Sequence, residues 1–214
     1  RDPEQIKIVA VGKTMPVEKL REAVAAGMPI LGENRVQEAW GKYRQLGKIA
    51  AWHLVGHLQT NKVKRALQIF DVIHSVDSFH LAEEIDRRCG QMGRKVEIFV
   101  EIKTSDEPTK YGVAPEEAPE LVEKISRLPN LQLSGLMTLG KWTTNETEVR
   151  NCFKRLVKVK ETIEEQKLPG VSLSHLSMGM SGDFEWAIEE GATIVRIGTA
   201  IFGPRDSCKI EPTT

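Results

Sequence analysis

Short runs of β-branched and aliphatic residues alternate with amphipathic stretches along the chain, and this alternation restricts the fold more than any other feature. Ile6-Lys7-Ile8-Val9-Ala10-Val11, Val72-Ile73-His74-Ser75-Val76 and Val96-Glu97-Ile98-Phe99-Val100-Glu101-Ile102 are nearly continuous apolar runs, the pattern of strands buried on both faces of a parallel sheet. Further strands are predicted over residues 29–32, 51–58, 131–137, 171–177 and 193–198. Helices are predicted from residue 17 onward, from 35 onward, and over 60–70, 79–92, 115–127, 145–166 and 184–190. Asn34 is read as the cap of the second helix, and Asp77 or Ser78 as that of the fourth. Strand–helix repeats with right-handed crossovers leave an open doubly wound sheet or a closed barrel, and eight strands favour a single-domain (β/α)8 barrel of the TIM type. An eighth helix is missing from the pattern. Residues 205–214 are too few and too polar to supply it, so a helix before the first strand is expected to close the outer ring.

The 214 residues suit one large domain, expected over residues 1–214. With 40% hydrophobic and 28% charged residues the chain is of the globular class rather than the disordered or fibrous one. Thirty basic residues balance thirty acidic ones, which excludes a global footprint for nucleic acid or an anionic membrane. The local basic run Asn61-Lys62-Val63-Lys64-Arg65 is read as a solvated helix face. Cys89, Cys152 and Cys208 stand far apart without metal-ligand spacing, as reduced thiols of a cytoplasmic protein do. No apolar run approaches the ~20 residues of a membrane span, and the first residues do not resemble a signal peptide.

Lys13 follows the first strand through Gly12 and precedes Pro16, the start of the first helix. In a β/α barrel such a loop lies on the catalytic face, where a lysine is placed for Schiff-base chemistry. Ser177-Met178-Gly179-Met180-Ser181-Gly182-Asp183 joins the seventh strand to a helix through glycines and serines. Such a turn offers N–H groups and hydroxyls to an anion, or else Ser181 or Asp183 simply caps the helix. The turn Ile197-Gly198-Thr199 follows the eighth strand, and loops seven and eight are the common phosphate site of these barrels. Arg196 interrupts a strand that should be buried, so its guanidinium must find acceptors across the barrel or face a ligand. A lysine, a phosphate cradle and an arginine together describe a site for a phosphorylated aldehyde, and pyridoxal phosphate fits. An arginine beside the ring nitrogen would keep that nitrogen unprotonated and weaken the cofactor as an electron sink.

Several separate motifs then resemble the pyridoxal-phosphate homeostasis protein family, single-domain relatives of the amino-terminal barrel of alanine racemase. They are Val9-Ala10-Val11-Gly12-Lys13-Thr14, Gly32-Glu33-Asn34-Arg35-Val36-Gln37-Glu38, Trp52-His53-Leu54-Val55-Gly56-His57-Leu58-Gln59-Thr60-Asn61-Lys62, Leu136-Met137-Thr138, the Ser177–Asp183 turn and Val195-Arg196-Ile197-Gly198-Thr199-Ala200-Ile201-Phe202-Gly203. The resemblance implies pyridoxal phosphate held as an internal aldimine on Lys13, with Arg196 near the pyridine nitrogen. It places Ser177, Ser181, Gly198 and Thr199 around the phosphate, and Asn34 and Met137 beside the ring. It further implies cofactor buffering without established turnover. Two departures stand out: the family's helix before the first strand is absent, and Gly12 replaces a common serine.

A racemase needs a second base, which the family's larger relatives receive from another domain. Tyr111, in a loop on the same face, is the nearest substitute here, with packing or a lid as its other reading. His53 and His57 flank the end of the third strand, where one would face the ligand or cap a helix, with no metal-ligand set around them. The expectation is a monomeric carrier that exchanges pyridoxal phosphate with apo-enzymes and binds neither nucleic acid nor membrane. A weak amino-acid racemase is the alternative from the enzyme class, and an aldolase-like barrel using Lys13 on a sugar phosphate is a third reading.

Overall fold

The computed structural model describes residues 2–204. Cys208 and the tail read as too short for a helix lie outside the described residues. Eight strands form a closed, wholly parallel barrel in sequence order: β1 (Lys7–Val11), β2 (Ile30–Glu33), β3 (Ala51–Leu54), β4 (Val72–Val76), β5 (Val96–Glu101), β6 (Leu131–Met137), β7 (His175–Met180) and β8 (Ile194–Ile197). Around it lie α1 (Val17–Ala25), α2 (Val36–Leu46), α3 (Val63–Ala66), α4 (Phe79–Gln91), α5 (Ala118–Ser126), α6 (Glu146–Glu165), α7 (Phe184–Glu189) and α8 (Thr199–Phe202).

Closure comes from β1 pairing with β8 at Lys7–Ile194, Ile8–Val195, Val9–Arg196 and Ala10–Ile197. No helix before β1 is needed for it. A short 3-10 turn, Pro3–Gln5, stands in front of β1, and the outer ring receives the one-turn α8 that the strand-like sequence Thr199–Phe202 had concealed. The third predicted helix is also broken, into a 3-10 turn at Thr60–Lys62 and the short α3. Strand seven begins at His175 rather than at residue 171, because its pairing with β6 starts only at Gly135–His175.

Strand alternation divides the apolar residues into two sets. Val9, Val11, Val55, Val72, Phe99, Met137 and Ile194 pack together inside the barrel, while alternate residues such as Ala10, Leu31, Leu54, Ile73, Ile98 and Val195 meet the helices. The stripe Val149, Phe153, Leu156, Val159 and Ile163 shows why α6 lies on the barrel: it recurs at helical spacing and is buried throughout. Phe153 alone, fully buried, contributes about 1.5–3 kcal/mol by leaving water. Ser78 caps α4 by accepting from Leu81 N–H, and Asn145 caps α6 by accepting from Glu148 N–H. Asn34 does not cap α2: the cap is Arg35, without a side-chain bond. Among the described residues no helix is long and apolar enough to cross a membrane.

Candidate functional site

Lys13 stands two residues beyond the inward-facing Val11, half-buried, in the turn between β1 and α1. That turn is tight. Thr14 takes a positive φ of 65°, uncommon for a β-branched residue, and Met15 N–H closes back on Gly12 O at 3.0 Å. A buried ionic cluster under the turn explains how it persists. Lys42 of α2 donates from Nζ to Gly12 O, Glu33 Oε1 and Glu38 Oε1, each at 2.7 Å, and Glu38 Oε1 also accepts from Thr14 N–H at 2.5 Å. Burial drives the Glu33 carboxyl up to about 7 against the pull of Lys42. Burial also raises Glu38, but the bonds from Lys42 and Thr14 and the nearby Lys42 and Arg35 charges outweigh it, leaving that carboxyl net lowered. The departure at Gly12 has a packing counterpart. A Cβ there would meet Leu20 Cδ1 at 2.9 Å, so the space of the serine side chain is filled by α1.

The last two strand exits adjoin this turn. A Cβ on Gly198 would lie 3.4 Å from Val11 O, the carbonyl two residues before Lys13. Ser181, half-buried after β7, accepts from both Gly198 N–H at 3.1 Å and Ala200 N–H at 3.3 Å. Two backbone donors therefore converge on the Ser181 hydroxyl oxygen, a grouping of N–H and O–H of the kind that anions are bound by. Neither serine nor aspartate caps α7 by a side-chain bond; Asp183 Oδ1 instead accepts from Met180 N–H. Thr199 is exposed at the start of α8.

Arg196 is 4% exposed, and its acceptors among the described residues are uncharged oxygens. Its Nη1 donates to Ser177 O and Ser177 Oγ, and its Nη2 to Thr138 O, all at 2.7 Å. Burial lowers the guanidinium to about 10, and the negative potentials of Glu101 and Asp183 oppose that. Those acids are themselves pushed upward. Glu101, at the end of β5, rises to about 7 through burial and the Asp77 charge, while burial raises Asp183. Ser177 thus sits beneath Arg196, fully buried, rather than in the open turn with Ser181. Met137 is buried inside the barrel, and Asn34 is half-buried at the end of β2. Its backbone meets Gly56 so closely that a Cβ on Gly56 would lie 2.4 Å from Asn34 O.

The two histidines of the third motif separate. His53 points into the barrel, where Nδ1 lies 2.9 Å from Nε2 of His74. His57 stays at the rim, with Nδ1 3.2 Å from Asp77 Oδ2 and its ring stacked on Tyr111 at 3.8 Å. Tyr111 is thereby engaged in packing while more than half exposed. His74, Lys42 and Glu101 carry no motif spacing of their own, while Glu33 lies within the Gly32–Glu38 motif without a role read for it. The one sequence signal they leave is a polar side chain in a position that the strand or helix pattern reserves for apolar ones.

Residues 3–206 match the alanine racemase N-terminal domain family. A pyridoxal phosphate homeostasis protein of Aquifex aeolicus is 44% identical over 200 residues, covering 93% of this chain and 87% of its own. One from Vibrio alginolyticus is 41% identical over 212 residues, covering 96% and 89%. Among solved structures, PipY of Synechococcus elongatus with pyridoxal phosphate bound superposes with a TM-score of 0.88 at 38% identity, covering 95% of each chain. An alanine racemase of Clostridium difficile shares the fold, with a TM-score of 0.82 at 17% identity over 99% of this chain and 56% of that one. From its parallel barrel, its matched length and these relatives, the chain belongs to the pyridoxal phosphate homeostasis proteins of the alanine racemase N-terminal domain family.

Proposed function

We propose that this chain binds pyridoxal phosphate through Lys13 and serves its storage and hand-over to apo-enzymes inside the cell. When bound, the cofactor supplies an aldehyde that condenses reversibly with an amine, releasing water. Lys13 is the amine. The observation that carries the reading is the adjacency of three features at one end of the barrel: the Lys13 turn, the converging N–H groups of Gly198 and Ala200, and the buried Arg196 guanidinium. The backbone donors and the Ser181 hydroxyl suit a phosphate. Arg196, held by uncharged oxygens, offers a positive charge where a carboxylate would be needed to protonate a pyridine nitrogen.

That choice favours storage over turnover, because an unprotonated ring withdraws electrons poorly. The similarity to PipY, solved with pyridoxal phosphate, supports the ligand. Loading the purified protein and treating it with borohydride tests the anchor. The parent is expected to retain a reduced, covalently bound cofactor and Lys13→Ala to lose it; a persisting adduct would place the bond on another lysine. Incubating the loaded protein with alanine and serine and following enantiomer exchange tests the role, since rapid exchange would establish the racemase reading instead.

A further inference from the structure

The barrel interior carries a polar thread that the cofactor chemistry above leaves unused. TIM-type interiors are filled by bulky branched apolar side chains, and most of this one is. Between Val72 and Phe99, however, two imidazoles share the core, with the His53 and His74 ring centroids 5.0 Å apart and Phe99 4.3 Å from His74. His53 is 6% exposed and His74 is fully buried, so each polar ring atom there needs a partner. Both nitrogens of His74 and Nδ1 of His53 have theirs in series. Arg196 Nη1 lies 2.7 Å from Ser177 Oγ, Ser177 Oγ 2.9 Å from His74 Nδ1, and His74 Nε2 2.9 Å from His53 Nδ1.

The Arg196 end of the series has a fixed direction. A guanidinium only donates, so Ser177 Oγ is an acceptor toward Arg196. Its own hydrogen can then go to His74 Nδ1, and in that arrangement His74 accepts at Nδ1 and donates from Nε2, and His53 accepts at Nδ1. We propose that His74, backed by His53, is a positioning residue for Arg196, ending a one-directional chain Arg196→Ser177→His74→His53 that fixes the guanidinium at the floor of the site. This rests on the cofactor reading for its use, whereas the chain itself is made of the protein's own side chains. Burial holds His53 near 4 and His74 well below its ordinary value, so both rings are uncharged at neutral pH and bring no second charge to Arg196. A carboxylate in the place of His74 would set a negative charge against the guanidinium and weaken the positive potential it offers the ring. Uncharged acceptors orient it and leave its charge intact.

The test has two parts, both on the full chain. Long-range proton–nitrogen correlation NMR of the cofactor-free protein near neutral pH reads the tautomer of each ring. Nε2–H forms of His74 and His53 are expected; Nδ1–H on His74 overturns the proposal. In the second part, pyridoxal phosphate is titrated into the parent, His74→Leu and His74→Asn and the bound absorption band is followed. His74→Leu is expected to weaken retention about tenfold to a hundredfold and to shift the band, as loss of a buried hydrogen-bond partner does. His74→Asn, whose side-chain oxygen can accept from Ser177, is expected to recover the parent band. Parent affinity and parent band in His74→Leu refute the positioning role even if that variant melts earlier. Should His74→Leu not fold, or the parent take up no pyridoxal phosphate, the tautomers still decide, and the second case overturns only the proposed function.

Discussion

Lys42→Met isolates the ionic cluster under the Lys13 turn. Methionine keeps most of the volume and removes three hydrogen bonds, to Gly12 O, Glu33 Oε1 and Glu38 Oε1. Glu38 retains Thr14 N–H and partial access to water, so its loss is small. Glu33 is the costly member: it is fully buried, and its Oε2 already lacks a partner. Breaking a buried pair that leaves a charge behind costs about 3–5 kcal/mol, which for a chain of this length lowers Tm by about 10 °C. The cost depends on pH. Glu33 titrates at about 7 when folded and at its ordinary value of 4.5 when exposed, so the folded state binds the extra proton between them and stability falls as pH rises through that window. Lys42 is what restrains this rise, so its removal moves the folded value higher and extends the fall above 7. Each added unit contributes about 1.4 kcal/mol. Near about pH 5.5 Glu33 is protonated in both proteins, and the penalty shrinks to about 1–3 kcal/mol for the unpaired carbonyl and carboxyl. Urea unfolding followed by circular dichroism at about pH 5.5 and about pH 8 measures both. Equal losses at the two pH values, or a loss at the higher pH below about 1 kcal/mol, would refute the assignment of an ionised, buried partner for Lys42.

Gly56→Ala is expected to destabilise by about 1–3 kcal/mol and to weaken cofactor retention, because the new methyl meets the Asn34 backbone, which cannot move aside like a side-chain tip. Thermal melts and cofactor titration check this, and an unchanged Tm contradicts the close approach. Cys89 is fully buried, and burial pushes its thiol up to about 11, so a thiol reagent at about pH 8 is expected to label it only after unfolding. Peptide mapping of the native protein gives the answer, rapid native labelling of Cys89 being the contrary result.

The barrel was legible because its message is repetitive. Eight runs of the parallel-strand type, the first seven each followed by a helical period, leave few closed topologies, and errors at individual ends do not change the sum. The ends were harder to place. Thr199–Phe202 continues the apolar character of β8 yet turns into a helix, and residues 171–174 are apolar enough for a strand but have no partner on β6. Lys13, Ser181, Arg196, Gly198 and Thr199 could be named from sequence since each stands at a strand exit or breaks an apolar pattern. Asn34 was named too, but its capping role fails because Arg35 has the extended backbone of the cap.

The amino-acid sequence by itself determined the period of the chain, the face on which its loops gather and the family to which it belongs, because these depend on local patterns read in order. Tertiary structure decided which distant polar residues meet. Ser177 and His74 are 103 positions apart, and Lys42 reaches Gly12 across 30. No spacing rule connects such pairs, since barrel closure, rather than chain proximity, brings their strands and helices together. Their hydrogen bonds are worth most where water is excluded, and that exclusion exists only once the barrel has closed.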